Sequence, residues 1–141
     1  MSRIEPLFQR YGESHRHPAN KAIHWICVPL ITWSVLAALW ALTPVATLAL
    51  ILAALAFYAW TSPPLALGML GVTLLMVVPL PFMGASLLPA AVAIFVAAWI
   101  GQFIGHHIEG RKPSFLDDVK FLLVGPAWLL ADVYRRFGIA Y

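Results

Sequence analysis

The chain has 141 residues, of which 62% are hydrophobic and only 11% are charged. Soluble domains are usually about half apolar and about a quarter charged, so this composition excludes an ordinary soluble domain. No Asp, Glu, Lys or Arg occurs between Lys21 and Glu109, and the net charge of +3 therefore comes from the two ends of the chain. Charges that flank a long apolar block indicate membrane headgroups as partners and argue against nucleic acid.

The chain begins with a basic segment, residues 1–21, whose first sixteen residues are expected to form a short interfacial helix. Prolines and glycines then divide the apolar block, residues 22–108, into four spans. The first span exceeds signal-peptide length, which favours a retained helix. The predicted spans are about residues 23–42, 45–60, 65–78 and 86–106.

The second and third spans are short, because a bilayer core takes about 20 helical residues. They borrow flanking residues or thin the bilayer locally, and two re-entrant hairpins are a weaker alternative. The C-terminal segment, residues 109–141, is amphipathic, and Gly125-Pro126 is expected to break it into two short interfacial helices. The predicted fold is one all-α membrane domain, residues 1–141, with four transmembrane helices and short interfacial helices at both termini.

Four spans place both termini on one side of the membrane. Every Lys and Arg precedes the first span or follows the fourth. The positive-inside rule therefore predicts that both termini are cytoplasmic, in a bacterial inner membrane or in the endoplasmic reticulum of a eukaryote. The lipid bilayer is the expected partner, and an oligomer is compatible with this composition.

The five histidines are His15, His17, His24, His106 and His107, and all of them lie near the ends of the apolar block. His24 opens the first span and His106 closes the fourth. Because the number of crossings is even, these two ends share one membrane face. His15 lies just before the first span and can fold onto the same place.

Helical spacing adds polar partners to two of these histidines. A helix that begins at Pro18 places Asn20 and His24 four residues apart on one face. On the fourth span, Gln102, His106 and Glu109 share a face by the same rule. Gly101 and Gly105 form a small-xxx-small pair that would admit a neighbouring helix.

Three imidazoles, with or without a carboxylate, form a site that suits Fe(II), Zn or Mn. The preferred ligands are His15, His24 and His106, whereas His17 and His107 are expected to be bystanders. Glu109 is either a ligand or an orienting residue, with Asn20 and Gln102 as accompanying polar positions. Arg111 and Lys112 are topology determinants that could also meet a substrate carboxylate.

A simpler interpretation is that these polar side chains only satisfy helix ends and headgroups. The alternative function is therefore a non-catalytic small membrane protein that binds lipid, heme or a cation through its interfacial histidines. Such a protein would tolerate replacement of His24.

Two sequence blocks carry a family resemblance. Residues 11–24, YGESHRHPANKAIH, and residues 102–113, QFIGHHIEGRKP, resemble the two signatures of a membrane family that includes the fungal 2-hydroxy-palmitic acid dioxygenase. The tail at residues 114–118 and Gly125-Pro126 fits the same family. The family's histidines fall on His15, His24 and His106. The spacing between His106 and Glu109 is one residue shorter than in the fungal enzyme.

The resemblance implies an Fe(II)-dependent dioxygenase that shortens a 2-hydroxy fatty acid by one carbon in fatty-acid α-oxidation. Its partners would be O2 and a fatty-acyl substrate. A 2-hydroxy acid can chelate iron through its hydroxyl and carboxylate, and a helix bundle offers an apolar place for its chain. Neither the chain length of the substrate nor the ligand role of Glu109 follows from the sequence.

Overall fold

The computed structural model describes residues 2–141, and Met1 lies outside this range. Six α-helices and three short 3-10 turns form the described part of the chain, which has no strand. The 3-10 turns are Leu80–Phe82, Gly84–Ser86 and Ser114–Leu116. The helices are α1 Glu5–Gly12, α2 Pro18–Leu42, α3 Pro44–Thr61, α4 Pro63–Val77, α5 Leu87–Glu109 and α6 Phe121–Arg136.

Proline marks the start of three consecutive helices. Pro18, Pro44 and Pro63 occupy the first helical position of α2, α3 and α4. The N–H that proline lacks would be unpaired at that position, so a proline there starts a helix without losing a hydrogen bond. Proline also disfavours continuation of the helix before it, so α2 ends before Pro44 and α3 ends before Pro63. The spans are therefore joined by very short connections.

Four helices are long and apolar enough to cross a membrane: residues 18–42, 44–61, 63–82 and 84–109. This result confirms the predicted all-α bundle of four spans. The third span reaches 20 residues because the 3-10 turn Leu80–Phe82 extends α4 beyond its last α-helical residue. The turn thus supplies the flanking residues that the short third span was expected to use in crossing the bilayer.

Helices α2 and α5 pack closely along their length, and two glycines of α5 lie at the contact. A Cβ added to Gly101 would lie 2.7 Å from Sγ of Cys27, and one added to Gly105 would collide with Oδ1 of Asn20. Only a residue without a side chain fits at these two positions. The small-xxx-small pair thus brings the histidine-bearing ends of α2 and α5 together.

Helices α1 and α6 cover one end of the bundle. The backbone N–H of Arg3 donates to the carbonyl of Thr61 over 3.2 Å. The hydroxyl of Tyr58 donates to the carbonyl of Leu123 over 2.7 Å, which ties α3 to α6. α1 agrees with the short N-terminal helix expected from the sequence. The buried core beneath this cover consists of Ile4, Phe8, Tyr11, Tyr58, Leu65, Met69, Phe121, Val124, Ala127 and Ala131.

The predicted break at Gly125-Pro126 is wrong, because α6 continues through both residues. Proline inside a helix removes one hydrogen bond, here the one to the carbonyl of Leu122. Close packing against α1 favours the continuous helix, since a Cβ on Gly125 would lie 3.0 Å from the hydroxyl oxygen of Tyr11. In the part of this segment before α6, Ser114–Leu116 forms only a 3-10 turn.

Candidate metal centre

His15 lies in the connection between α1 and α2, and a backbone carbonyl sets its orientation. Its Nδ1 lies 2.6 Å from the carbonyl oxygen of Tyr11. A carbonyl only accepts, so Nδ1 carries the proton and Nε2 of the neutral ring keeps its lone pair. Nε2 is buried and has no hydrogen-bond partner within residues 2–141. The free lone pair is therefore available to a metal ion.

His24 repeats this arrangement one turn into α2. Its Nδ1 lies 2.9 Å from the carbonyl oxygen of Asn20, four residues earlier. The same reasoning assigns the proton to Nδ1 and the lone pair to Nε2. His24 is 1% exposed, so this side chain is sequestered from bulk water.

His106 completes the cluster from the last turn of α5. Its Nδ1 is buried and, in the described chain, lacks a partner. Ring centroids lie 4.2 Å apart for His15 and His24, 5.0 Å for His15 and His106, and 4.9 Å for His24 and His106. One ring nitrogen from each residue lies within 4.8 Å of the other two. The structure thus brings together the three histidines preferred from the sequence.

The protonation state of His15 suits a ligand. Burial lowers the pKa of His15 to about 4, which outweighs the opposite effect of its hydrogen bond with the Tyr11 carbonyl. The imidazole is therefore neutral near pH 7. A metal ion binds neutral imidazole, so no proton has to be displaced from this ring at that pH.

Glu109 lies beside the cluster without joining it. Its carboxylate accepts the backbone N–H of Arg16 over 3.0 Å and that of His17 over 2.8 Å. It also accepts the side-chain amide of Asn20 over 3.1 Å. These bonds join the end of α5 to the start of α2. His15 lies shortly before the start of α2, and His24 lies shortly after it.

Asn20 is fully buried and connects three segments. Its Nδ2 donates to the carbonyl of Ser14 over 3.0 Å as well as to Glu109. The backbone carbonyl of the same residue orients His24. Asn20 therefore helps to position both histidines: its side chain holds the carbonyl of Ser14, next to His15, and its own carbonyl orients His24.

A cavity of ≈ 50 Å³ adjoins the three imidazoles. Gln102 lines it one turn before His106, and its Oε1 is buried without a partner in the part of the chain that the structure describes. Nε1 of Trp99 is buried and unpaired in the same way. The other lining residues are Tyr11, Val28, Ile31, Thr32, Pro113, Ser114, Phe115, Phe121, Leu122, Gly125 and Pro126.

The other polar positions singled out from the sequence lie outside the cluster. Nδ1 of His17 accepts the N–H of Ala19 at the start of α2, and His107 is exposed. Arg111 and Lys112 line an adjacent polar cavity of ≈ 230 Å³, which shares Ser114 and Phe121 with the histidine cavity. Lys112 forms an ion pair with Asp117.

Sequence reasoning missed the aromatic support of His15. The ring of Tyr11 stacks on the His15 imidazole, and Trp128 of α6 lies 5.7 Å from it, measured between ring centroids. The four-residue spacing of Tyr11 and His15 was the available signal. It could not show that α6 would cover the pair. A hydrogen bond of 2.6 Å between the hydroxyls of Ser14 and Ser114 was also unforeseen.

The donor set fits a single metal ion. Within residues 2–141, two buried imidazole nitrogens have no hydrogen-bond partner, and three imidazole nitrogens suit Fe(II) or Zn. A cavity of ≈ 50 Å³ is far too small for a porphyrin, which disfavours heme at this place.

Comparison with known proteins shows the family of the chain. No curated protein and no solved structure matches the chain significantly. The family model described as 2-hydroxy-palmitic acid dioxygenase Mpo1-like matches residues 1–137, which include all three clustered histidines. The chain belongs to this Mpo1-like family.

Proposed function

We propose that the protein is an Fe(II)-dependent membrane dioxygenase that shortens 2-hydroxy fatty acids by one carbon in α-oxidation. His15, His24 and His106 are the iron ligands. The observation that carries the proposal is the convergence of three buried imidazoles beside a cavity in a member of this family. Bound Fe(II) would supply a centre at which O2 and the hydroxy acid react.

The chain's own residues prepare this chemistry. Backbone carbonyls of Tyr11 and Asn20 hold Nδ1 of His15 and His24, so both rings present a lone pair. The cavity is small and lined mostly by apolar residues, which limits the water around the reacting groups. Oε1 of Gln102, which is unpaired in the described chain, offers an acceptor to the hydroxyl of the substrate.

Glu109 is proposed as a positioning residue rather than a ligand, because its oxygens already accept three N–H groups. Arg111 and Lys112 are proposed to attract the anionic headgroup to the membrane surface near the site. We further propose that both termini lie in the cytoplasm, since the basic residues flank the apolar block on that side.

The test combines metal analysis with product analysis. Detergent-purified protein is loaded with Fe(II) without O2, and 2-hydroxypalmitate and O2 are then added. We expect stoichiometric iron and a fatty acid one carbon shorter. His15→Ala, His24→Ala and His106→Ala should each lose iron and product, whereas His107→Ala should keep both because that side chain is exposed.

Failure to form a shortened product from any 2-hydroxy acid by iron-loaded protein would contradict the enzymatic proposal. Stoichiometric metal without turnover would instead support a non-catalytic cation-binding protein. Retention of metal in all three alanine variants would remove the histidine site itself.

A further inference from the structure

The cavity at the histidines has room for a headgroup but not for a fatty-acyl chain. Its volume is ≈ 50 Å³, and a cavity of this kind needs about 10–15 Å³ for each water molecule, so it holds only a few groups of that size. A carboxylate and a neighbouring hydroxyl are of the right size. The hydrocarbon chain of a bound hydroxy acid must therefore leave this cavity into another part of the bundle.

A second cavity, of ≈ 170 Å³, lies between α2, α4 and α6. We call it the α4 groove. It contains no charged side chain, and Thr32 is its single polar lining residue. Its lining residues are Trp25, Val28, Pro29, Thr32, Met69, Val72, Met76, Pro126, Leu129, Leu130 and Val133.

The α4 groove shares part of its wall with the histidine cavity. Val28, Thr32 and Pro126 line both. On α4, Met69 and Met76 are seven residues apart, so the groove follows that helix for about 10 Å at 1.5 Å per residue. A chain lying in the groove would thus begin at this shared wall, beside the histidine cavity, and continue along α4.

The composition of the groove suits a flexible hydrocarbon. Two of the four methionines in the protein lie in it, and methionine adapts its shape to irregular apolar ligands. A membrane phospholipid would have to place a bulky phosphate headgroup where only ≈ 50 Å³ is open. A free 2-hydroxy acid has no such headgroup, so the size of the histidine cavity favours the substrate over membrane phospholipids.

We propose that the α4 groove binds the acyl chain of the substrate and sets the chain length that the protein accepts. This inference rests on the proposed function for its substrate class. Each methylene removed from an apolar site weakens binding by roughly fourfold. The α4 side chains, which line the groove and not the histidine cavity, should therefore act on long substrates and not on short ones.

The first test is a chain-length series. Met76→Trp fills part of the groove outside the histidine cavity, and we expect kcat/KM for long-chain 2-hydroxy acids to fall at least about tenfold relative to short-chain ones, as two or more methylenes are displaced. Leu75→Trp is the matched control, because Leu75 is 80% exposed and does not line the groove. The iron content of both variants should equal that of the wild type.

A third variant tests whether the acyl chain leaves the histidine cavity by another route. Ile31 lines the histidine cavity and not the α4 groove. If Ile31→Trp shifts the chain-length preference and Met76→Trp does not, the chain leaves elsewhere and the proposal is overturned. An equal shift in Met76→Trp and Leu75→Trp would overturn it as well.

A second readout needs no turnover and so separates this proposal from the enzymatic one. A long-chain 2-hydroxy fatty acid with a diazirine near its methyl end is crosslinked to the wild type in phosphatidylcholine nanodiscs. We expect labelling at Val72 or Met76 that unlabelled 2-hydroxypalmitate removes. Labelling confined to other helices, or equal labelling of the groove by a diazirine phosphatidylcholine, would refute it even in a protein without activity.

Discussion

The imidazole of His15 lies flat against the phenol ring of Tyr11, with 4.1 Å between ring centroids and 15° between planes. The carbonyl of Tyr11 also accepts the Nδ1 proton of the same imidazole. Tyr11 in turn packs against Trp128 of α6. The one clustered histidine outside a helix is thus held by α1 and α6, neither of which supplies a ligand.

Loss of the Tyr11 ring should loosen His15. We expect Tyr11→Ala to lower the free energy of unfolding by about 3 kcal/mol, as for other buried aromatic residues, and to reduce iron occupancy. Tyr11→Phe keeps the stacked ring and the backbone carbonyl, so it should retain iron. Thermal unfolding in detergent and metal analysis provide the measurements. Full iron occupancy in Tyr11→Ala would show that the stack does not position His15.

The contact between Gly105 and Asn20 predicts a second effect. In Gly105→Ala the new methyl group would meet Oδ1 of Asn20, push α2 away from α5 and weaken metal binding by about tenfold or more. Gly71→Ala in α4 is the control, because a Cβ there meets nothing within 4 Å. Iron titration of both variants measures the difference. Equal affinities would mean that Asn20 can move without disturbing His24.

The carboxylate of Glu109 holds the start of α2, and its charge should matter. We expect Glu109→Gln to cost about 1–2 kcal/mol of stability and to weaken iron binding by about tenfold, because a neutral amide replaces the acceptor of three N–H groups. Glu13→Gln, at an exposed position, should change neither quantity.

The ligand set of that variant is a separate readout. Cobalt-substituted Glu109→Gln should keep the visible spectrum of the cobalt-substituted wild type, because the three histidines remain. A changed spectrum would identify Glu109 as a ligand.

The buried, neutral His15 predicts a pH dependence for the metal-free protein. In the unfolded chain this ring takes up a proton near its ordinary pKa of 6.5, whereas the folded protein resists protonation until about pH 4. Stability should therefore be greatest above pH 6.5 and fall between pH 6.5 and pH 4. The slope attributable to His15 is at most about 1.4 kcal/mol per pH unit.

Denaturation of the metal-free wild type and of His15→Gln across this range measures that slope. We expect a shallower pH dependence in the variant. Parallel curves would show that His15 is accessible to protons in the folded protein.

Much of the fold and part of the centre could be predicted from the sequence. Pro18, Pro44 and Pro63 mark helix starts by local covalent geometry, which any reader of the chain can apply. His24 and His106 could be placed together because an even number of crossings returns the chain to the same face. Neither inference needs the packing of side chains.

The remainder depends on tertiary contacts. Two of the three partners of Glu109 are backbone N–H groups of the connection between α1 and α2, and their direction depends on how that connection folds. The continuous α6 could not be foreseen either. The helix-breaking preferences of glycine and proline predict that a helix ends at Gly125-Pro126, whereas close packing against Tyr11 favours its continuation.

The three clustered histidines come from positions 15, 24 and 106 of one chain, so the last of them is synthesised long after the first two. During biosynthesis, His15 and His24 lack the third histidine until the fourth span has been inserted and has paired with α2. A nascent or truncated chain therefore holds only an incomplete ligand set. If the three histidines hold a metal ion as proposed, the complete site can bind it only after the fourth span has paired with α2.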